Sequence, residues 1–233
     1  MMTPKKTSPL KESSRESSRA KRPYGGRPSL EEAEQLHGRI LDAAAELFTK
    51  NGYGETSIEA IAAHAGIGKL TLYRRFADKE ALFLAVVIRM AEDARAALAK
   101  VGESEGSLTE ILTATGRQLL SVVLSPQSIA FHRILFAESA RLSDVRARVS
   151  QYVRSENEDS IRLLFRRLAD RGMVQSDDVA FLDQQFVHAI MGRPLRQALL
   201  GAPPMSARAQ DEHVRKAVAL FLHGMAISSP RSK

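Results

Sequence analysis

Residues 58–73, Ile58-Glu59-Ala60-Ile61-Ala62-Ala63-His64-Ala65-Gly66-Ile67-Gly68-Lys69-Leu70-Thr71-Leu72-Tyr73, contain the mechanical parts of a helix-turn-helix. Ile58, Ile61, Ala62 and Ala65 recur at helical spacing and turn inward, with Thr56 or Ser57 placed to cap their helix. Ala62 is small where two helices cross closely, and Gly66 stands where the turn needs a positive φ that other residues tolerate poorly. Gly68 to Phe76 reads as the second helix, with Leu72 and Phe76 inward. Ile58, Ile61, Ile67 and Leu72 form a wedge that sets the interhelical angle, so that the second helix can enter a major groove about as wide as itself. The competing reading is an ordinary three-helix core in which Tyr73 packs and the basic residues are merely solvated.

With the inward positions assigned, the second helix exposes Gly68, Lys69, Leu70, Tyr73 and Arg74. Backbone N–H groups at its start and Lys69 suit a phosphate or a guanine edge, while Tyr73 and Arg74 can donate to phosphate oxygens. Lys79, just past the helix, is placed for another phosphate, and Thr56 and Ser57 can serve from the other side of the groove. Catalytic and metal-ligating sets are not expected. The six histidines, His37, His64, His132, His188, His213 and His223, are scattered without metal-ligand spacing, and there is no glycine-rich phosphate loop, so no cofactor is expected.

Outward from the motif, Leu36, Ile40, Ala44, Leu47 and Phe48 form one buried stripe of a helix that stops at Asn51-Gly52. Asp78 caps a long helix running to about Lys100, with Leu82, Phe83, Val86, Met90, Ala94 and Leu98 inward. After the polar break at 102–106, five further helices are expected at 107–124, 127–140, 144–171, 177–200 and 206–225. Their punctuation is Pro126, Ser143-Asp144, Gly172, Ser176-Asp177 and Gly201-Ala202-Pro203-Pro204. Pro194 should kink or interrupt its helix. Strand-like alternation and internal repeats are both missing, so the fold class is all-α with about nine helices.

The chain has 233 residues and a formal net charge of +7. Residues 1–30 hold eight basic residues and two acids, which leaves +1 for the rest, so the overall basicity says little about the body of the protein. That segment, rich in Ser, Lys, Arg, Pro and Gly, cannot bury enough apolar surface to offset its ordering entropy and reads as a disordered basic arm. Either Lys21, Arg22 and Arg27, nearest the folded part, reach the minor groove or phosphates, or the arm is a solvated tail. Cysteine is absent, which excludes disulfides and thiolate metal sites and fits a reducing cytosol. The N-terminus has no apolar stretch of a signal peptide, and no apolar run approaches the roughly 20 residues that span a bilayer.

The run Ile40-Leu41-Asp42-Ala43-Ala44, Leu47-Phe48, Gly52-Tyr53, Thr56-Ser57, Ile61-Ala62, Ala65-Gly66-Ile67, Thr71-Leu72-Tyr73, Phe76 and Lys79-Glu80-Ala81-Leu82 resembles the N-terminal domain of the TetR/AcrR regulators. The resemblance implies a cytoplasmic homodimer, a repressor released from a palindromic DNA operator by a small molecule. It places the family's DNA contacts on Thr56, Gly68, Lys69, Leu70, Tyr73, Arg74, Arg75 and Lys79. Gly68 stands where Ser is frequent, Leu70 where Gly is frequent and Arg75 where His is frequent. These departures imply altered base reading, including a thymine-methyl contact by Leu70. The implied layout is an arm at 1–30, a DNA-binding domain at 31–78, a connecting helix at 79–100, a sensor and dimerisation domain at 101–228 and a tail at 229–233.

In the second half, Arg133-Ile134-Leu135-Phe136-Ala137-Glu138-Ser139-Ala140-Arg141, Gly192-Arg193-Pro194-Leu195 and Ala217 to Gly224 are similar to the AefR-like branch of the family's C-terminal domains. This implies a helical sensor whose last two helices pair with their two-fold mates. Val214, Val218, Phe221, Leu222 and Met225 form an apolar stripe that suits such an interface, with Leu195 and Leu199 on the preceding helix. The alternative is packing within the subunit. His132, Phe136, Phe165 and Phe186 are candidate ligand contacts, though such residues are packed or surface residues first and ligand contacts second. The Asp78–Lys100 helix, joining both halves, is the expected lever through which ligand changes the spacing of two reading helices.

Overall fold

Ser29 and Glu32 cap the first helix reciprocally, the Ser29 hydroxyl accepting from the Glu32 N–H at 3.1 Å and the Glu32 carboxylate from the Ser29 N–H at 2.8 Å. In this computed structural model the described residues are 29–102, 105–138, 142, 144–145, 147–148, 160–174 and 178–228. Lys21, Arg22 and Arg27, and with them most of the expected arm, lie outside these residues, as does the 229–233 tail.

Among the described residues there are nine helices and no strands. They are α1 (Leu30–Asn51), α2 (Ile58–His64), α3 (Lys69–Tyr73), α4 (Lys79–Gly102), α5 (Leu108–Val123), α6 (Pro126–Ala137), α7 (Ser160–Asp170), α8 (Val179–Leu199) and α9 (Ala207–Ser228). The capping pair starts α1 ahead of its apolar stripe. Pro126 opens α6 as its first residue, with Ser125 as the cap, because a first-turn proline gives up an N–H that has no helical partner anyway. Of the helix expected at 144–171, α7 forms the last part, and residues 149–159 are outside the described set.

Two apolar cores organise these helices. The first gathers Ile40, Phe48, Tyr53, Ile61, Leu72, Phe83 and Val86 from the first four helices and their loops, and it also takes in Phe131 and Ile134 from α6. Phe131 stacks on Phe83 at 5.2 Å and meets Phe48 edge-on at 6.3 Å, so a ring from the second half is part of the helix-turn-helix core. The second core joins α5, α7, α8 and α9 through Leu112, Leu120, Phe165, Phe186, Ile190, Val214 and Val218. Gly116 lets α5 approach closely: a Cβ there would fall 2.8 Å from Val214 Cγ1 and 3.0 Å from Ile190 Cδ1. Arg162 ties α7 to the buried Asp183 of α8 at 2.6 Å, and Arg117 ties α5 to Asp211 of α9 at 2.7 Å.

Of the two expected effects of Pro194, interruption does not occur: α8 runs continuously through it. Lacking an N–H, Pro194 leaves the Ile190 carbonyl without its helical donor. The His213 ring supplies one from α9, its Nε2 lying 2.7 Å from that oxygen. Among the described residues no single helix is long and apolar enough to cross a membrane, though α5 and α6 together, bent by 62°, pass by length and composition.

Candidate nucleic-acid interface

Ser57, not Thr56, caps α2, its hydroxyl accepting from the Ala60 N–H at 3.1 Å. The helix ends at Gly66 with φ of 68°, where Ile67 N–H donates to the Ala62 carbonyl and Gly66 N–H to that of Ala63. This paired C-terminal bonding turns the chain tightly enough for α3 to begin three residues after Gly66. Leu72 and Phe76 are buried beneath α3, which anchors its inner side as expected. Gly68 offers α3 no side-chain cap.

The outer face of α3 carries Gly68, Lys69, Leu70, Tyr73, Arg74 and Arg75, all exposed. Leu70 is 66% exposed and Tyr73 43%, large apolar surface that no other described residue covers. The Lys69 ammonium is ion-paired with Glu59 of α2 and lies 5.6 Å from the Tyr73 ring centroid. The pairing raises the Lys69 pKa and lowers that of Glu59 through their hydrogen bond and mutual attraction. Glu59 is absent from the sequence expectations, although its place in the first turn of α2, ten residues before Lys69, is the signal that points to it.

The side-chain polar groups of Thr56 and Lys79 are engaged within the subunit. Thr56 is 1% exposed and its hydroxyl donates to the Gly52 carbonyl at 2.7 Å, with the Leu47 carbonyl at 3.2 Å. The Lys79 ammonium donates to the carbonyls of Tyr53, Thr56 and Gly54 at 2.8, 3.0 and 3.3 Å and lies 4.4 Å from the Tyr53 ring centroid. The physical reason is the irregular stretch 52–56, where the carbonyls of Gly52, Tyr53, Gly54 and Thr56 take these side chains as donors. These two side chains brace the loop that carries Ser57.

The four expected ligand contacts are not brought together. Phe165 and Phe186 are fully buried in a three-ring cluster with Phe221, centroids 5.5 to 5.8 Å apart. Phe136 is 69% exposed, and His132 donates through Nδ1 to the Ser128 carbonyl of its own helix at 2.7 Å. A cavity of about 510 Å³ lies instead between α6, the end of α8 and the 202–205 loop. The expected dimer stripe is also corrected in part. Val214 and Val218 are fully buried against the second core, since the close approach at Gly116 turns this side of α9 onto α5. Leu195, Leu199, Phe221 and Met225 are half-buried. The outward side of α9 carries Glu212, Lys216, Ala219, Leu220, His223 and Gly224.

Comparison with known proteins gives these helices a lineage. Residues 40–86 match the model of the bacterial regulatory proteins of the tetR family, and residues 110–224 that of the AefR-like transcriptional repressor C-terminal domain. The chain is 28% identical over 187 residues to the HTH-type transcriptional regulator YvkB of Bacillus subtilis, covering 80% of this chain and 95% of that one. Among solved structures, a TetR-family regulator from Mesorhizobium loti superposes with a TM-score of 0.75 at 25% identity, covering 82% of this chain and 97% of the other. The flavonoid-responsive regulator FrrA does so with a TM-score of 0.60 at 27% identity, covering 85% and 100%. With the helix-turn-helix at its N-terminal end and the AefR-like helices behind it, the chain belongs to the TetR family of DNA-binding transcriptional regulators.

Proposed function

We propose that the chain is a homodimeric repressor that reads a palindromic DNA operator through α3 and releases it when a small molecule binds the C-terminal half. The observation that carries the reading is the exposed face of α3, where Lys69, Leu70, Tyr73, Arg74 and Arg75 stand clear of the core. Lys69, Tyr73 and Arg74 would serve phosphates or guanine edges, and Leu70 an apolar base edge. Residues 31–78 would bind DNA, 79–100 connect, and 101–228 sense and dimerise. The work is done in the cytoplasm, and no catalytic role is proposed.

Dimerisation would use the outward side of α9. Leu220 is 74% exposed and is flanked by Ala219, His223 and Gly224. Gly192 on α8 and Gly224 on α9 have no atom within 4 Å of where a Cβ would sit. A mid-helix glycine costs about 1 kcal/mol relative to alanine, which a close helix–helix approach across a two-fold axis would offset. Such a dimer sets its two reading helices about 34 to 36 Å apart, one turn of DNA. That FrrA is named flavonoid-responsive supports a small-molecule signal.

The test is selection of bound duplexes from a random pool by the purified protein, followed by competition between the selected site and random DNA. A palindromic site preferred by a factor of about 10³ or more supports the reading. Equal affinity for both would replace it with non-specific binding.

A further inference from the structure

The cavity of about 510 Å³ has walls unlike an ordinary packing gap. Pro126, Pro194, Pro203 and Pro204 border it, so four of the fourteen described lining residues have fixed φ and no N–H to satisfy. Walls of this kind resist collapse and keep the space preformed, and the volume falls within the range of small-molecule sites. At the roughly 30 Å³ that a water occupies in the liquid, it corresponds to about 17 water molecules.

Among the described residues that border it, Arg133 is the sole formal charge. Its guanidinium spends one donor on the Ala198 carbonyl at 2.7 Å and has no ion pair among the described residues. The other donors of the fork remain for a planar anion at the rim. The same lining includes Thr49 of α1, so an occupant would touch the DNA-binding half as well as α6 and α8.

We propose that this cavity binds a small monoanion with an apolar body, the carboxylate held by Arg133 and the body seated against Ile129, Pro194 and Met205. Binding stands on the cavity alone, while its consequence for DNA rests on the ligand-responsive reading above. By engaging Thr49 and the outer side of α6, whose inner side carries Phe131 into the first core, the occupant shifts α6 against α1 and lowers operator affinity.

Isothermal titration of the full-length protein with decanoate and with naphthalene-2-carboxylate tests this, with decanol and decylamine as neutral and cationic counterparts. One carboxylate per chain should bind at least tenfold more tightly than either counterpart. Arg133→Gln should weaken the carboxylates about tenfold and leave decanol unchanged. Ala130→Phe and Ala198→Phe, which fill the cavity, should abolish binding. Arg133→Gln, at an exposed site, keeps the test decisive should a filled variant melt early. The proposal is overturned if neither carboxylate binds below about 1 mM, if decylamine binds as well, or if affinity survives all three substitutions. Carboxylate binding that leaves affinity for the selected DNA unchanged would keep the site and remove its consequence for DNA. Release of DNA by an effector whose affinity is the same in Arg133→Gln would keep the ligand-responsive reading and place its signal outside this cavity.

Discussion

His213 donates from α9 to the carbonyl oxygen of Ile190, the group that Pro194 deprives of its helical donor, at 2.7 Å. One side chain thereby repairs the ladder of α8 and staples it to α9. His213→Ala should destabilise the protein by about 1 to 3 kcal/mol, the cost of an unsatisfied buried carbonyl, read as a lower midpoint in urea unfolding. In a Pro194→Ala background, where the helix regains its own donor, the same substitution should cost less than half as much.

Lys79→Met removes three carbonyl partners from the 52–57 loop and the cation over Tyr53. A loss of about 2 to 3 kcal/mol in stability is expected. DNA affinity should fall with it in proportion to the unfolded fraction. A phosphate contact by Lys79 would instead reduce affinity and its salt dependence at full stability, and measuring both separates the two.

Glu59 pairs with Lys69, would compete for it with the proposed DNA, and adds a negative charge beside the proposed groove face. Glu59→Gln should raise duplex affinity severalfold at low salt and steepen the dependence on salt concentration by up to one ion. Leu70→Gly should cost about 1 kcal/mol at positions where thymine is preferred, seen as relaxed sequence choice in a repeated selection. Unchanged binding in both variants would separate this face from DNA.

His37 stacks on Phe76 at 5.7 Å, and burial together with Arg75 and Arg89 lowers its pKa below 6.5. A group that binds its proton more weakly when folded contributes fully above pH 6.5. Its contribution is lost as the pH falls through the lowered value, because the unfolded chain then binds more protons. Thermal stability should therefore drop as the pH goes below 6.5, and less steeply in His37→Gln. Parallel pH profiles of the two proteins would remove His37 from this role.

Leu220→Arg, on the outward side of α9, should shift the protein toward monomers in sedimentation equilibrium and weaken binding to a two-half-site operator far more than to a half-site. Val218→Arg should instead unfold the second core, since that residue is 1% exposed within its own subunit.

Much of this architecture was legible from local chemistry. Gly52 and Gly66 have positive φ where the helices were read to stop, and Asp78 caps α4 through the Ala81 N–H at 2.7 Å. Leu72 and Phe76 are inward and Lys69, Leu70 and Tyr73 outward because helical spacing alone decides a short surface helix. What the sequence leaves open depends on neighbours far along the chain. The Lys79 partners lie more than twenty residues away, and a cation next to a groove looks the same in sequence whether it meets phosphate or a bare carbonyl. Val214 and Val218 share a helix with Leu220, and a helix that packs on more than one side carries apolar residues for each, which periodicity cannot apportion. The cavity had a weak signal, the clustered prolines, but its walls come from α6, α8 and a loop that only folding brings together.

Phe131 bears on how such regulators can be recombined. The aromatic nest beneath the reading helix is closed by a ring that the chain supplies some fifty residues after Phe83, so residues 30–102 are not a portable cassette. Joined to a foreign sensor, that segment would retain a notch the size of a phenyl group, and a working hybrid must graft α6 together with the head it plugs.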